Sequence, residues 1–301
     1  MAKASAKFRI RKEMVPYLFI MPWIIGFLIF TLGPLLFSLA ISFFDWPIVG
    51  EPSFVGLGNY IRMFTKDEMF THSLMVTVKF AIIFVPLYMI IALGLALLLN
   101  QKIKGQSFFK TVFYLPSVIS GVALSMIWIW IFDFKYGVIN YLLSLIGVAG
   151  PNWLGDPKWS LVAMVIASLW GQGTMVLIFL GALREIPKEY YEASMIDGAG
   201  PVHRFFRITL PLITPALLFN LIMTIISAFQ QLTLALLMTK GGPSNSTYFY
   251  AMYVYNNAFK HFEMGYASAN AWIMFLIILA LSLLVLKSSS MWVYYESEVK
   301  K

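Results

Sequence analysis

The sequence predicts an all-α integral membrane protein with six transmembrane helices, and three observations carry that prediction. Only 12% of its 301 residues are charged and 60% are hydrophobic, whereas soluble domains carry roughly 25% charged residues. The apolar residues fall in six blocks, each long enough to cross a bilayer. Lysine and arginine are rich on one set of flanks and sparse on the other, as in a multi-pass protein.

A hydrocarbon core about 30 Å thick takes roughly 20 helical residues at about 1.5 Å each. Residues 16–44, 73–100, 112–132, 159–183, 212–239 and 264–286 meet that length. Each must be a helix, because backbone amides in lipid are satisfied only within their own segment. Pro22, Pro34, Pro86 and Pro116 lie inside or near helix ends, where neighbouring helices can absorb a kink. The first block follows a basic stretch, but it is too long for the apolar region of a signal peptide and lacks a clear cleavage site, so it counts as a span. Lys79, near the start of the second block, is the one charged residue in all six. Its long stem can snorkel to the outer interface, with a role in a transport path as the alternative.

One set of flanks holds fifteen basic residues, in stretches 3–12, 102–110, 184–207 and 287–301, against six on the other. Both termini are therefore expected in the cytoplasm. The formal charge of +8 is a topology signal and not a nucleic-acid footprint. The absence of cysteine excludes disulfides and thiolate metal sites.

The outer loops carry turn-formers. Residues 45–72 hold Pro47, Gly50, Pro52, Gly56 and Gly58, then a mixed segment able to lie in the interface plane. Residues 133–158 hold Gly150-Pro151-Asn152 and Gly155-Asp156-Pro157. The third, Lys240 to Thr247, is either a simple hairpin or a rigid surface for an external partner. The cytoplasmic loop 184–211 differs. Pro187 suits a first helical position, and Glu189 and Glu192 follow near the positive end of the dipole. Asp197-Gly198 and Gly200-Pro201 stop that helix. Residues 202–208 can resume as a second short helix, with Leu210-Pro211 beginning the fifth span. Such a helix-turn-helix cannot bury its Tyr, Met, Ile and Phe side chains against itself, so it needs lipid or another protein.

Glu192-Ala193-Ser194, three residues, Gly198, nine residues, then Ile208-x-Leu210-Pro211 closely resembles the EAA loop of bacterial ABC importer permeases. The one departure is Ser194 in place of a second alanine. Phe54 to Tyr60, Tyr114-Leu115-Pro116 through Trp128 to Asn140, Thr239 to Pro243 and Met264 to Ala269 resemble carbohydrate-type permeases. The likeness is to the maltose and glycerol-phosphate type, and to the first of its two permease subunits. The two extra spans and large outer domain of the maltose version are lacking.

The resemblance implies a type I ABC importer permease fold: a first span at 16–44, a transmembrane core at 73–286, and cytoplasmic segments at 1–15 and 287–301. It implies a heterodimer with a second homologous permease, two ATPase subunits below, and an extracytoplasmic solute-binding protein that delivers a sugar or oligosaccharide. Glu192, Ala193, Ser194, Asp197, Gly198, Ile208, Leu210 and Pro211 of the EAA loop would couple ATP hydrolysis to transport. No phosphate-cradling Gly-x4-Gly-Lys-Ser/Thr loop occurs, so ATP and Mg belong to partner chains and this chain is expected to bind no cofactor and no nucleic acid. The resemblance also implies a place in the bacterial inner or plasma membrane.

No catalytic or metal constellation is evident. His72, His203 and His261 are far apart, and no acidic pair lies within a span. A substrate path would therefore use uncharged polar and aromatic groups, which suit sugar hydroxyls and C–H faces. Spans four and five offer Trp170 to Thr174, with Asn220, Thr224, Ser227, Gln230 and Gln231. Helix-packing roles compete for each of them. By the resemblance, maltose-contacting positions fall on Trp170, Gly171, Thr174, Thr224, Ser227, Ala228 and Gln231. Ser227 and Ala228 are smaller than the maltose pattern there, so a different sugar or contacts from the partner subunit are implied. A phosphorylated polyol is the alternative substrate. A secondary transporter or channel fits poorly, since the spans lack the charges that coupling requires. A membrane enzyme fits poorly too, for want of paired catalytic groups.

Overall fold

The computed structural model describes residues 17, 19–47, 50–101 and 104–294. The expected segment 1–15 and the end of the tail lie outside them. In chain order the helices are α1 (Phe19–Ile41), α2 (Gly58–Thr65), α3 (Glu68–Asn100), α4 (Gln106–Val118), α5 (Gly121–Ile131), α6 (Val138–Leu145), α7 (Pro157–Ser168), α8 (Gly173–Glu185), α9 (Lys188–Ile196), α10 (Pro201–Leu212), α11 (Thr214–Phe229), α12 (Tyr250–Phe259) and α13 (Met264–Ser289). A hairpin of two short strands, β1 (Phe44–Asp45) and β2 (Ser53–Phe54), is the sheet among the described residues.

Among the described residues α1, α3 and α13 are single helices long and apolar enough to cross a membrane, and three bent pairs bring the spans to six. Between α4 and α5 the chain turns by 101°. Pro116 sits in a tight last turn, Ile119 is extended, and the Ser120 hydroxyl accepts from the Ala123 amide to start α5. Between α7 and α8 the bend is 51°. Gly173 opens α8 against α4, where a Cβ would lie 2.6 Å from Tyr114 Cα. Between α10 and α11 it is 68°. Pro215 has no N–H for the Pro211 carbonyl, and the Thr214 hydroxyl donates to that carbonyl at 2.6 Å instead.

Several expected boundaries move. The second span begins at Glu68, capped by Asp67, whose carboxylate accepts from the Phe70 amide. At 33 residues it is about 50 Å long and overruns the hydrocarbon layer. The loop 133–158 contains α6, which its turn signals did not announce. Leu210 and Pro211 lie within α10, not at the head of the long fifth-span helix. Pro187 is the residue before α9 and not its first member.

The chain divides into two compact units, Met1–Lys66 with Val254–Trp272, and Asp67–Tyr253 with Ile273–Lys301. In the first, the Asn59 amide donates to the carbonyls of Ser42 at 2.9 Å and Phe44 at 2.8 Å, so α2 is tied to the end of the first span. Arg62 pairs with Glu263 at 3.0 Å and stacks its guanidinium 4.2 Å from the Tyr266 ring centre. Trp272 donates to the Ser38 hydroxyl at 3.1 Å. Gly265 permits this knot, since a Cβ there would stand 1.9 Å from the Phe44 carbonyl oxygen. Gly265→Ala is therefore expected to lower the melting temperature of the purified transporter by several degrees, overpacking costing about 1–3 kcal/mol. Gly94→Ala, where a Cβ meets nothing within 4 Å, should not; equal melting temperatures would dismiss the close contact.

In the second unit α3 packs against α7, α8 and α11. Phe80, Phe84, Trp128, Phe132, Met164 and Phe249 belong to one buried cluster. Ala92, Ala96, Phe179, Leu180, Leu183 and Ile213 belong to a second. Ala92 and Ala96 are fully buried, the small residues that let membrane helices approach closely.

Candidate functional site

The loop 184–211 is built around one turn. Helix α9 ends at Ile196, and Gly198 takes φ +78°, a left-handed value that glycine adopts without strain. The Ala199 amide donates to the Ser194 carbonyl at 2.9 Å, and the Gly198 amide to the Met195 carbonyl at 3.1 Å. That pair of bonds closes a Schellman motif and satisfies carbonyls the helix end would leave open. Gly200-Pro201 then starts α10. The Tyr191 hydroxyl bonds the Thr209 hydroxyl at 2.9 Å, holding α9 to α10.

This geometry sorts the loop residues. Glu192, Ala193, Asp197 and Gly198 are exposed, while Ser194, Ile208, Leu210 and Pro211 are half-buried. The Ser194 hydroxyl donates back to the Tyr191 carbonyl, so serine fits where the family pattern has alanine. Beside the turn, Ile196 is 88% exposed and Val202 71%, with Met195 and Phe206 also exposed.

The polar residues of spans four and five divide among separate places. Thr174, Thr224 and Ser227 line one cleft of about 240 Å³, together with Phe84, Tyr88, Met175, Ile178, Phe219, Asn220 and Met223. Thr174 and Ser227 are exposed to it, while Thr224 is buried and donates to the Asn220 carbonyl at 2.7 Å. Among the described residues, no acidic or basic side chain lines this cleft. Gly171 sits in the break between α7 and α8, and its carbonyl accepts from the Tyr88 hydroxyl at 2.9 Å. Trp170 lines a different cleft, of about 490 Å³, beside Pro116 and Gln172, and its ring meets Trp128 edge-on at 5.1 Å. Ala228 is in the buried core.

Gln231 departs from the expectation of a continuous fifth span. Helix α11 stops at Phe229, and a π-helical turn, Ala235–Thr239, resumes after the break. Gln231 therefore does not sit a fixed helical rise below Thr239. Its amide nitrogen donates to the Ser168 hydroxyl of α7 at 3.0 Å.

Sequence reasoning missed Tyr88, an isolated hydroxyl in an apolar span whose position was itself a signal. It named Asn220 and Gln172 without singling them out. The Asn220 amide nitrogen and both polar atoms of the Gln172 amide are buried without a hydrogen-bond partner among the described residues. Lys79 is exposed on α3. In the turn Lys240–Thr247, the Thr247 hydroxyl donates to the Gly242 carbonyl at 2.8 Å and meets the Thr239 hydroxyl at 2.7 Å. Its backbone is thus held by side chains.

Comparisons with known proteins complete the picture. Residues 89–301 match a family described as "Binding-protein-dependent transport system inner membrane component". The chain is 44% identical over 303 residues to the probable ABC transporter permease protein YesP of Bacillus subtilis (strain 168), covering 99% of this chain and 98% of that protein. It is 33% identical over 285 residues to the trehalose/maltose transport system permease protein MalF of Thermococcus litoralis, covering 94% and 96%. One chain in the crystal structure of a bacterial alginate ABC transporter, in complex with an alginate pentasaccharide-bound periplasmic protein, superimposes with a TM-score of 0.83 at 22% identity, covering 93% of this chain and 96% of that one. At that identity the likeness is one of fold.

Proposed function

The chain belongs to the family of binding-protein-dependent transport system inner membrane components, with the type I ABC importer permease fold, and on that premise we propose that it forms half of the translocation pathway for a sugar or oligosaccharide. The observation that carries the proposal is the loop 184–211: a rigid turn at Gly198 flanked by exposed apolar side chains. Two ATPase subunits, holding ATP and Mg, would cover that surface, and Glu192, Ala193, Ser194, Asp197, Gly198, Ile208, Leu210 and Pro211 would pass their closure to the spans. A second homologous permease completes the path, and an extracytoplasmic solute-binding protein delivers the substrate to the outer face.

The uncharged cleft between α3, α8 and α11 supports a neutral, hydroxyl-rich substrate. Thr174, Thr224 and Ser227 supply hydroxyls, and Phe84, Tyr88 and Phe219 supply aromatic surface for sugar C–H faces. Trp170, Gly171 and Gln231 would border the same path at the span breaks. The protein itself then performs no chemistry; hydrolysis belongs to the partners.

The decisive experiment reconstitutes this chain with its partner permease, ATPase subunits and binding protein in liposomes. ATP-dependent uptake of a neutral oligosaccharide is expected, with phosphorylated polyols excluded. Preference for the phosphorylated compound would overturn the sugar assignment, and uptake without ATPase subunits would overturn the importer assignment. Topology is tested separately, because the chain has no cysteine. Ser244→Cys, on the exposed outer turn, should react with an impermeant maleimide added outside intact cells. Ser290→Cys, exposed after α13, should react only after lysis; the reverse pattern would invert the orientation.

A further inference from the structure

The loop between the third and fourth spans holds a helix with two apolar sides. On one side of α6, Ile139 and Leu143 pack against the buried cluster that includes Phe132 and Trp153. Asn140 fixes that side: its amide nitrogen donates to the Phe134 carbonyl at 3.0 Å and the Pro151 carbonyl at 3.1 Å, and its amide oxygen accepts from the Trp153 indole at 2.7 Å. Gly150 leaves room for this hub, since a Cβ there would fall 2.0 Å from the Asn140 amide oxygen. The helix therefore has one rotational setting.

That setting turns Val138, Tyr141, Leu142, Leu145 and Ile146 outward. They follow an i, i+3, i+4, i+7, i+8 spacing, the period of one continuous helical face. Tyr141 is 62% exposed, Leu142 55%, Leu145 65% and Ile146 72%. No charged residue occurs between Lys135 and Asp156. An uncharged apolar stripe of this length, on a helix already clamped by its other face, is not a water-facing surface.

We propose that α6 lies flat in the outer interface of the bilayer, with this stripe seated at the boundary of headgroups and acyl chains. The occupant is lipid because the stripe continues a lipid-facing surface. It follows α5 after a short turn, and α5 is the outer half of a membrane span with Met126 64% and Trp130 60% exposed. Between them the Asp133 carboxylate accepts from the amides of Lys135 at 2.9 Å and Tyr136 at 2.8 Å, which sets the charged residues in a compact turn. Trp130, Tyr136 and Tyr141 are all exposed around that turn, the aromatic composition of a membrane–water interface. An amphipathic surface of this kind binds the interface plane without spanning it.

The consequence is mechanical. Trp153, bonded to Asn140, packs 5.5 Å from Phe132 after α5 and 5.2 Å from Trp159 in α7, ring centre to ring centre. The ends of two broken spans thus meet at one lipid-seated helix.

The test uses single cysteines at Leu142, Leu145 and Lys135, spin-labelled in the assembled transporter in vesicles of phosphatidylethanolamine and phosphatidylglycerol. Power saturation then compares relaxation by oxygen, which concentrates in lipid, with relaxation by a water-soluble nickel chelate. At 142 and 145 oxygen should dominate several-fold, and at 135 nickel should. Nickel dominating at all three sites would place the stripe in water and overturn the proposal. Low accessibility to both reagents at 142 and 145 would place it against another protein chain and overturn it equally. The labels sit on exposed positions, so the fold is not at stake, and the result does not depend on which solute is transported.

Discussion

A transporter carrying Gly198→Val should reach the membrane at normal yield and lose most of its ATP-driven uptake. Insertion depends on the hydrophobicity of the spans, which this exposed loop position does not alter. The turn depends on φ +78° at residue 198, a conformation costing an L-residue roughly 1–2 kcal/mol, or about tenfold in the population of the correct turn. A β-branched side chain is worse there than an unbranched one. A Cβ at 198 would meet nothing within 4 Å among the described residues, so the loss comes from the backbone and from whatever docks on the loop, not from an internal clash. Gly198→Asn separates those causes: asparagine tolerates the left-handed region, so it should restore the turn while still adding a side chain. Recovery in Gly198→Asn assigns the defect to the turn; continued loss assigns it to the docked ATPase. Glu192→Lys, reversing an exposed charge in the same loop, should weaken ATPase association at unchanged yield. Normal transport in both Gly198→Val and Glu192→Lys would refute the coupling role of 184–211.

The second large effect is expected in the cleft between α3, α8 and α11. Ser227→Phe places a ring in a space of about 240 Å³ and should abolish uptake, while ATPase activity stimulated by the loaded binding protein persists. Thr174→Val keeps the volume and removes one exposed hydroxyl. A single hydrogen bond contributes about 0.5–1.5 kcal/mol net, so preference among related sugars should shift roughly two- to tenfold. Gln231 needs a control, because its amide donates to Ser168. If Gln231 serves packing alone, Gln231→Leu and Ser168→Ala should give the same drop in melting temperature and no change in sugar preference. A changed preference in Gln231→Leu only would put its remaining amide oxygen on the path. Uptake by Ser227→Phe at the normal rate would move the path away from this cleft.

Much of the molecule was legible because lipid makes the helix a local property. A segment in hydrocarbon must satisfy its own backbone, so length and apolarity located the six spans from composition alone. The loop 184–211 was legible for a similar reason. The stop at Asp197-Gly198 and the restart at Gly200-Pro201 rest on backbone preferences that belong to glycine and proline wherever they occur.

What the sequence by itself determined, then, is the class, the number of spans and the conformation of the turn at Gly198. What only the tertiary structure decided is where the spans break and which side chains meet. The break before α8 depends on Gly173 lying against Tyr114, and the knot near the first span on Gly265 lying against Phe44; neither partner is near in sequence. Thr174, Thr224 and Ser227 share a cleft while Gln231 turns to Ser168, because α11 ends at Phe229 and the following residues leave the helical register. The stripe on α6 was equally hidden, since only the Asn140 hub decides which side of that short helix faces inward. Local hydrogen bonding selects a helix, but its rotation and its interruptions are set by neighbours that fill the vacated space and accept the freed backbone groups.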